Sequence, residues 1–525
     1  MDAQLYFGGP ILTMDTPAQV PALLVREGVI QGVGSREALA AACPKARPVP
    51  LEGRALLPGF LDAHGHFLAC AYAQLQCSVE GAGTVEEILA RIRTYLAAHP
   101  RPAGTWVLAR DYDPALLPGG RGPGRRALDR AAPGHPLVLQ HRSGHVGVLN
   151  SLALEQMGIR AGTPDPPGGR IGREDGEPNG WLEEAAFLGV LRRLPAPTTE
   201  ELLAACGRTQ ELFASYGITT AQEGMLTQEM LPLCQALCRG KGLRLDLVGY
   251  VSPGEAGEVE GALAGYTGPY RDRFRLGGYK IFLDGSPQSR TAWLRTPYLD
   301  GSNGYPTLSE GQVEEAAALA LGRGRQLLAH CNGDAAAQQF LEGLAAARRR
   351  FPQAPDIRPV MVHAQLVGLD QLPQLARLGV IPSFFPAHIY HWGETHLENL
   401  GPRRAALLSP AASAGELGLP YTLHQDAPVL PPNPLEALAC AVNRRTRAGR
   451  LLGEGQRITP LQGLAALTRH AAYQYFEEGA KGSLAPGKRA DLVILEQNPL
   501  ELPSQRLGEL RVSETIKDGK VLWRR

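Results

Sequence analysis

The 525-residue sequence has eight cysteines and no C-x-x-C pair among them. Cys234 and Cys238 stand at helical i, i+4 spacing, so neither a disulfide framework nor a structural zinc knuckle is expected. Charge of one sign is also missing: 53 basic against 52 acidic residues leaves a formal +1. That balance gives no argument for nucleic acid or an anionic membrane as a partner. No run of eighteen uninterrupted apolar residues occurs. The opening MDAQLYFGGPILTMD lacks a basic segment followed by a long apolar one. A soluble, cytoplasmic protein in a reducing compartment is therefore the expectation. No short-period repeat is present, and the 62 glycines and 43 prolines are dispersed, which reads as many turns and not as disorder.

What is present is a large apolar fraction, 44%, enough for a sizeable core. The length suits two or three domains, or one α/β barrel with additions. Both ends read as short strands. ALLVREGVIQGVG (22–34) is a hairpin turning at Arg26-Glu27-Gly28, and SETIKDGKVLW (513–523) is a hairpin with an Asp-Gly turn. Residues 1–57 and 483–525 are thus expected to build one small β-sandwich domain from both termini.

Between them, strand and helix alternate. LGGYKIFLDG (276–285), RQLLAHC (325–331), PVMVHA (359–364), VIPSFF and LPYTLHQDA (419–427) read as strands. Ser309 with Gln312 forms a capping box before one intervening helix, and Asp334 is expected to cap the next. This alternation predicts a parallel sheet, open or closed into a barrel, over 58–482. Residues 73–181 break the rhythm and are expected to be an inserted subdomain. A reactive site at a barrel mouth needs a cover against bulk water, so this insertion is also expected to act as a lid.

Chemistry-bearing residues fall in or after these strands. GFLDAHGHFL (59–68) carries His64 and His66. On a strand, residues i and i+2 share a face, so two imidazoles would stand side by side as ligands for one divalent ion. The plainer reading of an isolated H-x-H is a pair of ordinary core or surface histidines. Lys280, His330, His363 and Asp426 follow on later strands, the single histidines standing 33 positions apart, about one βα unit. In a (β/α)8 barrel such groups collect at the C-terminal strand ends, and the ordered set is harder to dismiss than any one member.

The blocks LPGFLDAHGH, YKIFLDGSPQSRTA, AHCNGD, VHAQ and QDAPV resemble the signature blocks of the metal-dependent amidohydrolase superfamily, in its YtcJ-like branch, amidohydrolase family 3. The resemblance covers nearly the whole chain, including HRSGHVGVLNSLAL, GGRIGREDGEPNGWLEEAA and GSLAPGKRADLVIL. It implies a TIM-like (β/α)8 barrel and one or two divalent metal ions per chain, zinc being the expected ion. It implies that His64 and His66 bind the more buried ion and that Lys280, carboxylated in many relatives, bridges two ions. His330 and His363 would bind the second ion, or one of them would serve a single-ion site, and Asp426 would be both metal ligand and general base. Two departures stand out. HCNGDAA places Cys331 and Asn332 where the usual block reads His-Ala-Ile-Gly-Asp-Arg-Ala, and HQDAPV places His424 and Gln425 where it reads Gly-Ser-Asp-Ala-Pro. Neither removes a ligand.

The chemistry is coherent in its own right. A bound Zn²⁺ brings the pKa of its water from 15.7 to roughly 7, and a carboxylate at Asp426 can take the proton and pass it to the leaving group. A buried Lys280 would be partly neutral and able to add CO2; the alternative is an ion pair with a carboxylate such as Asp284. Candidate substrate contacts are His145, Asp113, Arg290 and Trp392, the last in HIYHWGETH (388–396), read as a mobile loop over the pocket. A loop histidine, a turn aspartate ahead of Pro114 and solvent-facing side chains are the plain alternatives.

The expected function is hydrolysis of a non-peptide C–N bond in a small molecule: a small amide, an N-formyl or N-acyl compound, or a cyclic amide. A small-molecule substrate is the expected partner, and a homodimer the candidate assembly. One rival is a deaminase of the same superfamily. The third residue after His330 is Gly333 and after His363 is Leu366, so the H-x-x-E of such enzymes is absent. The other rival is a metal-free binding protein on the same fold, which would typically have lost ligands that this chain keeps.

Overall fold

The computed structural model describes residues 3–525. The chain divides into two compact units. One runs to Cys70 and resumes at Cys206, and the other is Ala71–Ala205.

The first unit holds two sheets. One is all-parallel, with strands in sequence order: β1 (Phe60–Leu61), β2 (Ile218–Leu226), β3 (Asp246–Val251), β4 (Phe274–Phe282), β5 (Gln326–Cys331), β6 (Val360–His363), β7 (Ile381–Phe384) and β8 (Thr422–Leu423). Every neighbouring pair is parallel. The strands are rich in Val, Ile and Leu and are buried along their length, as a sheet covered on both faces requires. The sheet curls until the chain beyond its two edge strands meets: the His66 amide, after β1, donates to the Ala427 carbonyl, after β8, at 2.7 Å.

Register sorts the side chains. Lys280 pairs with Leu328, Leu328 with Val360, and Val360 with Ile381, so these four share one face of the sheet. One step toward the strand ends, Phe282, His330, Val362 and Ser383 do the same. Leu61, Val248, Tyr250, Leu328, Val360, Val362 and Ile381 pack together as an apolar core beneath the polar groups.

The second sheet joins both termini. Leu492–Leu495 pairs antiparallel with Ala55–Pro58, bringing the C-terminal hairpin beside the N-terminal strands. Both hairpins turn where expected. Glu27 and Gly28, and Asp518 and Gly519, take the positive φ that two-residue turns demand. A buried ionic cluster ties this sheet to the parallel one. Asp246, at the start of β3, accepts from Lys481 Nζ at 2.6 Å and Lys517 Nζ at 2.7 Å, and Lys517 also reaches Asp491 at 2.6 Å.

The second unit is built on a six-stranded mixed sheet, with one core around Ile92, Leu128 and Leu137 and another around Leu149, Leu182 and Phe187. All eight cysteines are free, and among the described residues no helix is long and apolar enough to cross a membrane.

Three local expectations need correction. β1 ends at Leu61, so His64 and His66 lie in the turn after the strand and not on it. The cap of the helix Asp334–Arg350 is Gly333, because Asp334 turns its carboxylate to Arg295, accepting from its amide and Nε at 2.9 Å. The segment 388–396 is no loop: it forms part of the helix Ala387–Ala405, with His388 and His396 buried. A break at Trp392 (φ −129°, ψ 16°) lets these two histidines, eight residues apart, approach to 3.2 Å.

Candidate metal centre

The turn after β1 carries both histidines of the H-x-H pair to one point, their ring centroids 5.2 Å apart. His64 is 1% exposed. Its Nδ1 lies 2.6 Å from Gln222 Oε1, and Gln222 is held in turn by donating to the Ala63 carbonyl at 2.9 Å and the Tyr475 hydroxyl at 2.8 Å. An amide oxygen can only accept, so the His64 proton sits on Nδ1 and its Nε2 lone pair faces inward. There it meets Lys280 Nζ at 3.2 Å and Asp426 Oδ1 at 3.5 Å. His66 Nε2 is also 3.5 Å from Asp426 Oδ1, while its Nδ1 faces Glu223 Oε1 at 3.6 Å. Glu223 is itself anchored by the Leu68 amide at 2.7 Å.

One ligand atom each from His64, His66 and Asp426 lie within 4.8 Å of one another. Asp426 Oδ1 is buried without a hydrogen-bond partner, and so is Asp62 Oδ2 nearby. An anionic oxygen shut from water beside two imidazole nitrogens is costly unless a cation compensates it, so these residues fit a divalent ion. Burial lowers the pKa of His64 well below its ordinary value, keeping it neutral as a ligand must be. At His66 burial works the same way, but the Glu223 hydrogen bond and the Asp426 charge outweigh it and the pKa rises. Burial also pushes Asp62 up to about 7, aided by the Asp426 charge.

Lys280 is fully buried, and burial lowers its pKa to about 7 against the opposing pull of Asp426. No ion pair joins it to Asp284. That carboxylate accepts from the amides of Asn332, Gly333 and Trp293 at 2.9, 2.7 and 3.0 Å, and lies 3.2 Å from His330 Nδ1. His330 and His363 stand beside the triad with rings 4.6 Å apart, and His363 Nε2 is 3.9 Å from Asp426 Oδ2. Strand alternation alone would put His363 on the opposite face from Val362. His363 (φ 70°) and Ala364 (φ 43°) depart from extended geometry at the strand end, and Asp426 (φ 54°) does so after β8. Non-glycine residues held at positive φ mark places where the surrounding structure imposes a costly geometry.

The other candidates are placed as follows. Arg290 is exposed and bonded to Asp300 at 2.7 Å. Trp392 packs on His388, its centroid 4.6 Å away, and lies 6.3 Å from Phe385, which is 5.2 Å from His424. In the other unit, His145 pairs with Glu184 at 3.0 Å, and Asp113 accepts from Arg142 at 2.9 Å. Gln222, Glu223 and Ser383 escaped the sequence reading, while Asp284 was weighed only as an ion-pair partner of Lys280 and not as a neighbour of His330. The signal for the first two was a polar pair inside the apolar strand GITTAQEG; Ser383 left none.

A family model described as amidohydrolase family matches residues 49–523. The chain is 29% identical to an N-substituted formamide deformylase of Arthrobacter pascens, over 96% of this chain and 95% of that one. It is 26% identical to the putative amidohydrolase YtcJ of Bacillus subtilis (strain 168), over 99% of each. Its fold is similar to the crystal structure of an uncharacterized metal-dependent hydrolase from Pyrococcus horikoshii OT3, with TM-score 0.76, 23% identity, and coverage of 96% of this chain and 99% of that one. The chain belongs to the amidohydrolase family, and with that match it is a metal-dependent hydrolase acting on C–N bonds. Within the family it falls in the YtcJ-like branch, amidohydrolase family 3.

Proposed function

We propose that the protein hydrolyses a non-peptide C–N bond in a small molecule: a small amide, an N-formyl or N-acyl compound, or a cyclic amide. The observation that carries this is the buried, unpartnered Asp426 Oδ1, 3.5 Å from the Nε2 atoms of both His64 and His66. His64, His66, Asp426 and Lys280, with His330 and His363 beside them, would hold one or two divalent ions, zinc being the expected one. Such an ion supplies a Lewis acid for the substrate carbonyl and acidifies water to a pKa of roughly 7. Asp426 takes a proton from the attacking water and returns it to the leaving nitrogen. Its mostly buried position keeps bulk water from competing for that proton. Lys280, its pKa lowered to about 7 by burial, has access to the neutral amine that adds CO2 and so presents an anion in place of an ammonium. Gln222 and Glu223 orient the two histidines.

The parallel sheet closes as a TIM-like barrel over 58–482, and residues 1–57 and 483–525 form the β-sandwich. Residues 73–181, with Asp113 and His145, form an inserted subdomain, while Arg290 and Trp392 shape the substrate site. The protein is cytoplasmic and assembles as a homodimer. Kinship with a formamide deformylase favours N-formyl compounds as first substrates.

The test is metal analysis of protein purified without chelator, followed by a panel of N-formyl, N-acyl and cyclic amides. One or two equivalents of metal, and acid release that chelation abolishes and zinc restores, are expected. Less than a trace of metal with activity indifferent to chelation, or no C–N hydrolysis by zinc-loaded protein, overturns the proposal.

A further inference from the structure

We infer that His424 is a positioning residue that sets the tautomer of His363, so that His363 offers its Nε2 to the metal centre. The inference rests on the metal-dependent reading above. His363 Nδ1 lies 3.1 Å from His424 Nε2, and His424 Nδ1 lies 3.0 Å from Ser383 Oγ. All three residues are buried, at 4%, 2% and 0% exposure, so none can turn to water for a partner. The free nitrogen of His363, Nε2, is the one that faces Asp426.

Only two arrangements of protons satisfy this row. In one, His363 Nδ1–H donates to His424 Nε2, and His424 Nδ1–H donates to Ser383 Oγ; the Nε2 lone pair of His363 is then free to ligate. In the other, the Ser383 hydroxyl donates to His424 Nδ1 and His424 Nε2–H donates to His363 Nδ1. That leaves a proton on His363 Nε2 and no lone pair for a metal. A histidine ligand is normally held in its working tautomer by an acceptor on its second nitrogen, and here that acceptor is the imidazole of His424. Phe385, 5.2 Å from the His424 ring and 6.2 Å from that of His363, supplies part of the apolar wall.

The experiment is equilibrium dialysis of chelator-stripped protein against zinc, comparing wild type, His363→Ala, His424→Leu and His424→Gln. The ion lost in His363→Ala defines the position in question. His424→Leu, which fills the space without an acceptor, is expected to weaken that position about 10–100-fold. His424→Gln, whose amide oxygen can accept from Nδ1, is expected to stay close to wild type. Equal losses in the Leu and Gln variants would reduce His424 to a space-filler and overturn the inference. So would unchanged zinc binding in either His424→Leu or His363→Ala. A wild-type protein that binds no zinc is a different failure: it removes the metal reading itself, and this inference with it.

Discussion

Replacing Gln222 by Leu should uncouple His64 from the metal with little other damage. The variant removes three hydrogen bonds, but two of the groups left behind keep a partner. The Ala63 carbonyl still accepts from Gln474 Nε2 at 2.7 Å, and the Tyr475 hydroxyl still donates to the Asp62 carbonyl at 2.5 Å. The loss therefore falls on His64 Nδ1–H, buried and without an acceptor. A stranded buried donor costs about 1–3 kcal/mol, which is the destabilisation expected for the metal-free protein in urea. His64 can escape that cost by moving its proton to Nε2, where Lys280 and Asp426 lie, and this is the nitrogen the metal needs. Zinc affinity should then fall about 10–100-fold, or about 1.4–2.7 kcal/mol. Gln222→Glu keeps an acceptor opposite Nδ1 and should bind zinc far better than the Leu variant. Equilibrium dialysis of folded protein measures both. A Gln222→Leu variant with wild-type zinc affinity refutes the claim that this bond sets the His64 tautomer.

Asp426→Asn should leave the fold intact, retain at least one metal ion and lower kcat by roughly 10²–10⁴; near-wild-type kcat removes Asp426 from proton transfer. Lys280→Ala should lose activity that short carboxylic acids partly restore, and the absence of any rescue counts against an anionic bridge. Asp246→Asn should destabilise the protein by about 3–5 kcal/mol at neutral pH, since it strips one partner each from the buried Lys481 and Lys517. Burial pushes the Asp246 carboxyl up, but the two ammonium groups outweigh it and hold it well below the usual carboxylate range. A depressed folded-state pKa stabilises above the unfolded value and is lost as pH falls through the folded one. The gap between wild type and Asp246→Asn should therefore narrow below about pH 4. A pH-independent gap in denaturation midpoints contradicts the ionic account.

The alternation of strand and helix, both terminal hairpins and the Ser309–Gln312 capping box were legible in the sequence. Each depends on periodicity, turn chemistry or chain order, which are local properties. The reason the H-x-H pair converges was not legible: the pair lies in a turn, and alternation along a strand plays no part. Segment 388–396 looked like a loop because its polar pattern is read locally, whereas His388 and His396 are buried against each other across a break at Trp392. Asp334 looked like a cap until Arg295, 39 residues away, claimed its carboxylate. The partners that fix proton positions, Gln222 on His64 and His424 on His363, come from residues 158 and 61 positions distant. Residue type and spacing mark the candidate ligands. Ligand orientation and protonation depend on which distant groups share a dry, crowded space, and only the tertiary fold brings those groups together.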